Sequence, residues 1–150
     1  MKLQTQRLII TPCTEETLQI ISTTHEYKIG PHINLYIEEL KEDPSLIGWG
    51  VWLVINREDY NIIGDIGFKG KPNLENTVEV GYGIIPSAQN KGYATEAVRE
   101  IIKWAFSFEN VKKIVAECQN DNLSSVRVLE KLQMERTEPE KNMLKWQLNK

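Results

Sequence analysis

Up to about residue 85 most apolar positions fall in short runs, and from residue 94 to 106 they recur at steps of three and four. Arg7-Leu8-Ile9-Ile10-Thr11 reads as a short strand stopped by Pro12, which has no N–H to donate to a ladder. A helix capped near Thr14 follows, with Leu18, Ile20 and Ile21 turned inward. From His25 to Asp43 the pattern is less regular. Ile33, Tyr36, Ile37 and Leu40 keep helical spacing, but Gly30-Pro31 breaks the approach to them. Trp49 to Ile55 and Ile62 to Phe68 form a predicted hairpin through Arg57-Glu58-Asp59. After a turn at Pro72-Asn73, Val78 to Ile85 is another strand, closed by Pro86.

The strongest helical stripe is Ala94, Ala97, Val98, Ile101, Ile102, Ala105 and Phe106. Ile114 to Cys118 is a short apolar strand, Ser124 to Leu132 a second helix, and Met143 to Leu148 a closing strand. A strand–helix–strand crossover makes the strands at Val78 and Ile114 parallel neighbours in one mixed sheet, so the fold class is α/β, with an α+β-like beginning.

With 150 residues, 41% apolar and 26% charged, the chain suits one globular domain, 1–150, and neither a repeat nor a Pro/Gly/Ser linker divides it. A net charge of -3 supplies no overall basic surface for phosphate neutralisation, so a nucleic-acid partner is not expected. Two cysteines and two histidines are too few for a Cys/His zinc site, and no metal is expected. The longest mostly apolar run, Trp49 to Ile55, is far short of the roughly 20 residues that cross a bilayer, so no membrane partner is expected. The first ten residues lack an apolar core and a cleavage site, so the expected location is cytoplasmic, with reduced thiols.

Candidate chemistry lies at Gln89-Asn90-Lys91-Gly92-Tyr93-Ala94-Thr95, between a strand and the striped helix. A helix N-terminus offers unpaired N–H groups and partial positive charge; Gly92 lets a ligand approach the backbone and Lys91 adds a cation. Taken alone, the segment reads equally as an ordinary β-to-α turn.

Glu79-Val80-Gly81-Tyr82-Gly83-Ile84-Ile85-Pro86 precedes that loop, and Asn122-Leu123-Ser124-Ser125-Val126-Arg127-Val128-Leu129 follows the next strand. With Thr5-Gln6-Arg7-Leu8, Ile63-Gly64-Asp65-Ile66-Gly67-Phe68 and Ala94-Thr95-Glu96-Ala97-Val98, these segments resemble the GCN5-related N-acetyltransferase (GNAT) superfamily. Within it they are similar to the branch of ribosomal-protein N-terminal (alanine/serine) acetyltransferases, and the resemblance covers nearly the whole chain in order. It implies a mixed sheet of six or seven strands flanked by about four helices, with acetyl-CoA between two splayed parallel strands, Val78 to Ile85 and Ile114 to Cys118. Backbone groups near Tyr82, Ile84 and Ile85 would pair with the pantetheine arm. Gln89, Asn90, Lys91, Gly92, Tyr93, Ala94 and Thr95 would hold the pyrophosphate, and Asn122 and Ser125 would approach the thioester. There are two departures. Gln133-Met134 replaces the usual Gly-Phe, which opens the way to a differently shaped turn, since a non-glycine left-handed cap costs on the order of 1 kcal/mol. Leu129 stands where many relatives carry a tyrosine general acid, so the acid is left unassigned.

The implied reaction is acetyl transfer to a primary amine, a small molecule or a protein N-terminus, by direct attack in a ternary complex. An amine with a pKa of about 10.4 is mostly protonated at pH 7, so a base is needed, and the resemblance points to Glu79. Ser125 would return a proton to the departing thiolate, or would only cap its helix and touch the coenzyme. Cys13 and Cys118 read as small buried hydrophobes. His25, His32, Tyr27, Tyr36, Trp49 and Trp52 are each either acceptor-pocket wall or structure. Between residues 38 and 65 the acids Glu38, Glu39, Glu42, Asp43, Glu58, Asp59 and Asp65 outnumber Lys41 and Arg57, which suits a cationic acceptor or simply a solvated face. The competing reading is an acyl-CoA-binding sensor or scaffold without turnover; a site for another phosphate ligand is a third. The expected state is monomer or homodimer.

Overall fold

The apolar run from Val51 to Ile55 is continuous because both faces of the strand it forms are covered. A computed structural model describes residues 1–20 and 26–150. It comprises β1 (Leu3–Gln4), β2 (Leu8–Pro12), α1 (Glu15–Ile20), α2 (Pro31–Glu42), β3 (Val51–Asn56), β4 (Ile62–Phe68), β5 (Thr77–Ile84), α3 (Tyr93–Phe106), β6 (Lys113–Gln119), α4 (Leu123–Lys131), β7 (Glu135–Arg136) and β8 (Met143–Asn149). The strands form one mixed sheet in the order β1-β2-β3-β4-β5-β6-β8-β7. The two-residue edge strands β1 and β7 carry no periodicity that a sequence reading could detect.

On one face, Trp52 and Val54 of β3 join Ala97, Val98, Ile101 and Ala105 of α3 and Leu129 of α4. On the other, Leu53 and Ile55 pack with Ile33, Tyr36 and Ile37 of α2. Gly30-Pro31 does break the chain, but as a helix start: Pro31 takes the first helical position, where a missing N–H is harmless. The inward positions proposed for Ile21 and the role proposed for His25 lie outside the described residues, as does the side chain of Ile20.

For three of the aromatics the structural alternative holds. Trp49 and Trp52 do not wall a pocket; their rings lie 4.6 and 5.2 Å from Trp104 in the core. Tyr36 is buried as well, and its ring fills the space beside Gly50, where a Cβ would lie 1.9 Å from Tyr36 Cε1.

Two irregularities position the site. Register moves between Val54 and Ile55, which pair with Gly64 and Ile62, leaving Ile63 as a bulge. Ile62 therefore packs toward α2 while Ile66 and Phe68 pack toward α3, and Asp65 emerges on the α2 side of the sheet. Second, β5 and β6 are parallel partners only over Thr77 to Glu79 and Lys113 to Val115. Beyond Glu79, β5 continues with β4 and β6 with β8, so the sheet forks.

Candidate active site

Past the fork one edge of β5 has no strand beside it. The Lys69 amide donates to the Glu79 carbonyl and the Ile85 amide to the Ile63 carbonyl, so odd-numbered backbone groups of β5 face β4. By the alternation of an antiparallel pair, the N–H and C=O groups of Val80, Tyr82 and Ile84 face the fork. Tyr82 and Ile84 thus have the orientation expected of them. Ile85 does not: its N–H is committed to Ile63 at 2.8 Å, and its parity turns it away.

The loop after β5 makes a 3-10 turn over Pro86–Ala88 and enters α3 through two left-handed residues, Asn90 at φ 61° and Gly92 at φ 83°. No side chain caps α3, so the first-turn N–H groups face outward at the helix's positive end. Gln89 reaches back to the Ile84 carbonyl at 2.8 Å. Arg7 braces the loop from outside: it donates to the Lys91 carbonyl at 2.9 Å and to Glu96 at 2.8 Å, with its guanidinium 4.3 Å from the Tyr93 ring centroid. Thr5 also hydrogen-bonds Glu96. Burial alone would raise the Glu96 carboxyl, but hydrogen bonds from Thr5 and Arg7 outweigh it and leave the group below the usual carboxylate value.

Loop, fork and α4 enclose a cavity of about 470 Å³. Of the residues expected to meet coenzyme, all but Ile85 and Lys91 line it. Asn122 caps α4 by accepting from the Ser125 amide at 3.1 Å, which fixes Ser125 on the cavity wall. The Tyr82 hydroxyl donates to the Ser125 carbonyl at 3.3 Å, and burial pushes that phenol above its ordinary value. Arg127 and Lys131 line the same cavity. The sequence reading missed them, although a basic pair four residues apart on one helix face is a legible signal.

A second cavity, about 560 Å³, opens on the other face of β5 and shares Tyr82, Gly83 and Ile84 with the first. Asp65 lies in its wall, accepting from the Tyr27 hydroxyl at 2.9 Å and from His32 Nε2 at 3.1 Å. Tyr27 and His32 thus fall among the pocket residues expected, and burial together with the Asp65 charge holds the Tyr27 phenol well above its usual value. Glu79 lines neither cavity. It faces this side at the base of the fork, paired with Lys69 at 2.8 Å, and Lys69 does line the second cavity.

Leu129 is fully buried in the core. The turn after α4 keeps its usual shape despite Gln133: that residue sits at φ 64°, its amide bonds Glu130 and that of Met134 bonds Leu129, and Met134 is buried. Cys118 is buried as expected, and so is Cys13, whose thiol is pushed up to about 12 by burial and by Asp65. Among the described residues no cluster of His, Cys, Asp and Glu could hold a metal ion, and no helix is long and apolar enough to cross a membrane.

A sheet forked between two parallel strands, beside a bare helix N-terminus, is the architecture of acyl-CoA-dependent N-acetyltransferases. The acetyltransferase (GNAT) domain family matches residues 7–135, and the chain belongs to that family. YjdG, an uncharacterised N-acetyltransferase of Bacillus subtilis (strain 168), is 37% identical over 100 residues, 67% of this chain and 60% of that protein. The chain therefore spans less than two thirds of that relative's length. Ribosomal-protein-S5-alanine acetyltransferase from Vibrio fischeri superposes with a TM-score of 0.75 at 15% identity, covering 99% of this chain and 96% of that one. RimL, a ribosomal L7/L12 alpha-N-protein acetyltransferase solved with coenzyme A, gives 0.76 at 11% identity, covering 99% and 98%. Identities this low establish a shared fold.

Proposed function

We propose that this chain transfers the acetyl group of acetyl-CoA to a primary amine, by direct attack with both substrates bound. The observation that carries the reading is that two cavities on opposite faces of the sheet meet at one stretch of strand, Tyr82 to Ile84. When bound, acetyl-CoA supplies the activated acyl group as a thioester. The chain offers matching groups along one path: N–H donors from Gly92 to Thr95 for pyrophosphate, with Gln89, Asn90 and Lys91 beside them, and Arg127 and Lys131 for remaining phosphate charge. The fork-facing backbone of Tyr82 and Ile84 suits an added strand-like arm. Asn122 and Ser125 complete the wall from α4.

The acceptor enters from the second cavity as an ammonium and must lose a proton. Glu79, at the base of the fork, takes that proton through water. Ser125 returns one to the leaving group, directly or by relay; its hydroxyl has no hydrogen-bond partner among the described residues. The acceptor is a small amine or a protein N-terminus.

Calorimetry with acetyl-CoA tests the coenzyme half, comparing wild type with Gly92→Val, which puts a β-branched residue at φ 83° with its Cβ 3.3 Å from Arg7 Nη2. Tight binding lost in the variant is expected. Glu79→Gln should lower turnover by roughly 10²-fold. Absence of wild-type binding overturns the reading; binding without turnover on any amine makes the chain an acyl-CoA sensor or scaffold.

A further inference from the structure

The second cavity contains two glycines that the fold does not require. A Cβ at Gly64 would strike the Gly83 carbonyl at 2.3 Å and one at Gly67 the Gly50 carbonyl at 2.0 Å, so those positions must be bare. Gly81 and Gly83 differ: neither has a left-handed φ, and a Cβ at either would meet nothing within 4 Å. Glycine within a strand costs stability, on the order of 0.5–1 kcal/mol relative to alanine, and marks places where something approaches the backbone closely. The two residues alternate along β5, leaving a bare trough about 7 Å long on the cavity side.

Asp65 stands at one end of that trough, in register with Gly83. Directly opposed residues lie about 5 Å apart, so the carboxylate flanks the segment that both cavities share. Its side chain is 22% exposed, and it accepts one hydrogen bond from Tyr27 and one from His32. A carboxylate has about four lone-pair sites, so two remain. Among the described residues no lysine or arginine pairs with it. The cavity's other charges are the exposed Lys28, Lys69 held by Glu79, and Glu26 held by the Ser87 amide at 2.9 Å. A half-enclosed carboxylate that accepts from a phenol and an imidazole, with coordination to spare, is complementary to a cation.

We propose that Asp65, oriented by Tyr27 and His32, anchors one ammonium group of the acceptor, and that the acceptor is an unbranched aliphatic diamine whose chain lies on the bare backbone of Gly81 and Gly83, leaving its second amine free to be deprotonated and to attack the thioester. The inference rests on the acetyl-transfer reading and assigns that site its substrate class. The Ile63 bulge is what turns Asp65 to this face; without it, alternation would aim the carboxylate at α3.

The test is steady-state kinetics of the full chain with acetyl-CoA and three acceptors: n-butylamine, its branched isomer sec-butylamine, and 1,4-diaminobutane. Wild type should favour 1,4-diaminobutane over both monoamines, and n-butylamine over its branched isomer. Asp65→Asn keeps the shape, removes the charge and can still accept from one of Tyr27 and His32, which bond different oxygens of the carboxylate. It should raise the amine KM about ten- to hundredfold, the worth of a charge-assisted hydrogen bond, with kcat and the acetyl-CoA KM nearly unchanged. Gly81→Val should raise the amine KM and leave acetyl-CoA alone. The inference is overturned if Asp65→Asn leaves the amine KM unchanged, if it lowers kcat alone, or if it weakens acetyl-CoA equally, as a structural defect would. Turnover of these amines that is indifferent to both variants sinks the anchor and spares acetyl transfer. Binding of acetyl-CoA with turnover of none of them overturns this inference, and acetyl transfer falls with it only if peptides with a free N-terminus are also left unmodified.

Discussion

Arg7 touches neither cavity, yet its loss should weaken coenzyme binding. In Arg7→Ala the backbone N–H of residue 7 still reaches Glu96 at 3.2 Å, so what disappears is the side-chain brace. The ion pair to Glu96 joins side chains 40% and 21% exposed and contributes roughly 0.2–1 kcal/mol. The hydrogen bond to the Lys91 carbonyl adds about 1 kcal/mol and the contact over Tyr93 about 0.5–1 kcal/mol. Allowing for non-additivity, the total is about 2 kcal/mol, which predicts a fall in Tm of roughly 4–8 °C for a domain of this size. About half of that total is directed at the loop itself. If the unbraced loop leaves its binding conformation to that extent, the Kd for acetyl-CoA rises about fivefold. Calorimetry on the folded variant reads this directly, while kcat at saturating acetyl-CoA should hold. Glu96→Gln separates the two halves, because it weakens the ion pair and leaves the Lys91 and Tyr93 contacts in place. A lowered Tm with an unchanged Kd would refute the brace and make Arg7 a purely structural residue.

Gln133→Gly should stabilise the protein by about 1 kcal/mol, raising Tm by about 2–4 °C, because φ 64° strains any residue with a Cβ. Thermal melts check it, and an unchanged or lower Tm would mean that the turn has relaxed elsewhere. Asn122→Ala removes the cap on the Ser125 amide and should cost about 1 kcal/mol in chemical unfolding, with no loss if water replaces it fully. The depressed Glu96 carboxyl contributes stability that is complete above its unfolded pKa of about 4.3 and is lost as pH falls through the folded value. Wild-type Tm should therefore fall more steeply than that of Glu96→Gln between pH 5 and pH 3, and parallel curves would contradict the assignment.

What the sequence makes legible follows from how far apart the interacting groups lie in the chain. The stripe from Ala94 to Phe106 and the alternation in β5 are local, and both elements form within a residue or two of expectation. The Ile85 error is also local: parity along an antiparallel strand already separates its N–H from those of Tyr82 and Ile84. The Ile63 bulge is different, because the adjacent Ile62 and Ile63 fit a strand in either register and only the pairing with β3 places the extra residue. The brace joins Arg7 to a carbonyl 84 positions away, and Asp65 meets partners 38 and 33 positions before it. No window of sequence contains those pairs. Trp49 and Trp52 belong to the same class, since pocket wall and core have the same composition until Trp104 is placed against them.

On the proposed reading, the two halves of the site encode specificity differently. The coenzyme half is mostly backbone: a helix terminus, an unpaired strand edge and a left-handed glycine, all of which survive extensive change in side chains. The acceptor half is built from side chains carried in by β4, the segment before α2 and α2 itself, around a trough whose width depends on two residues lacking a Cβ. Changing the acceptor then requires substitutions only at positions such as Asp65, Gly81 and His32, none of which lines the coenzyme cavity. Substrate choice can drift on this scaffold without disturbing the groups that hold the acyl donor, provided pairing of β5 with β6 still ends at Glu79 and the fork stays open.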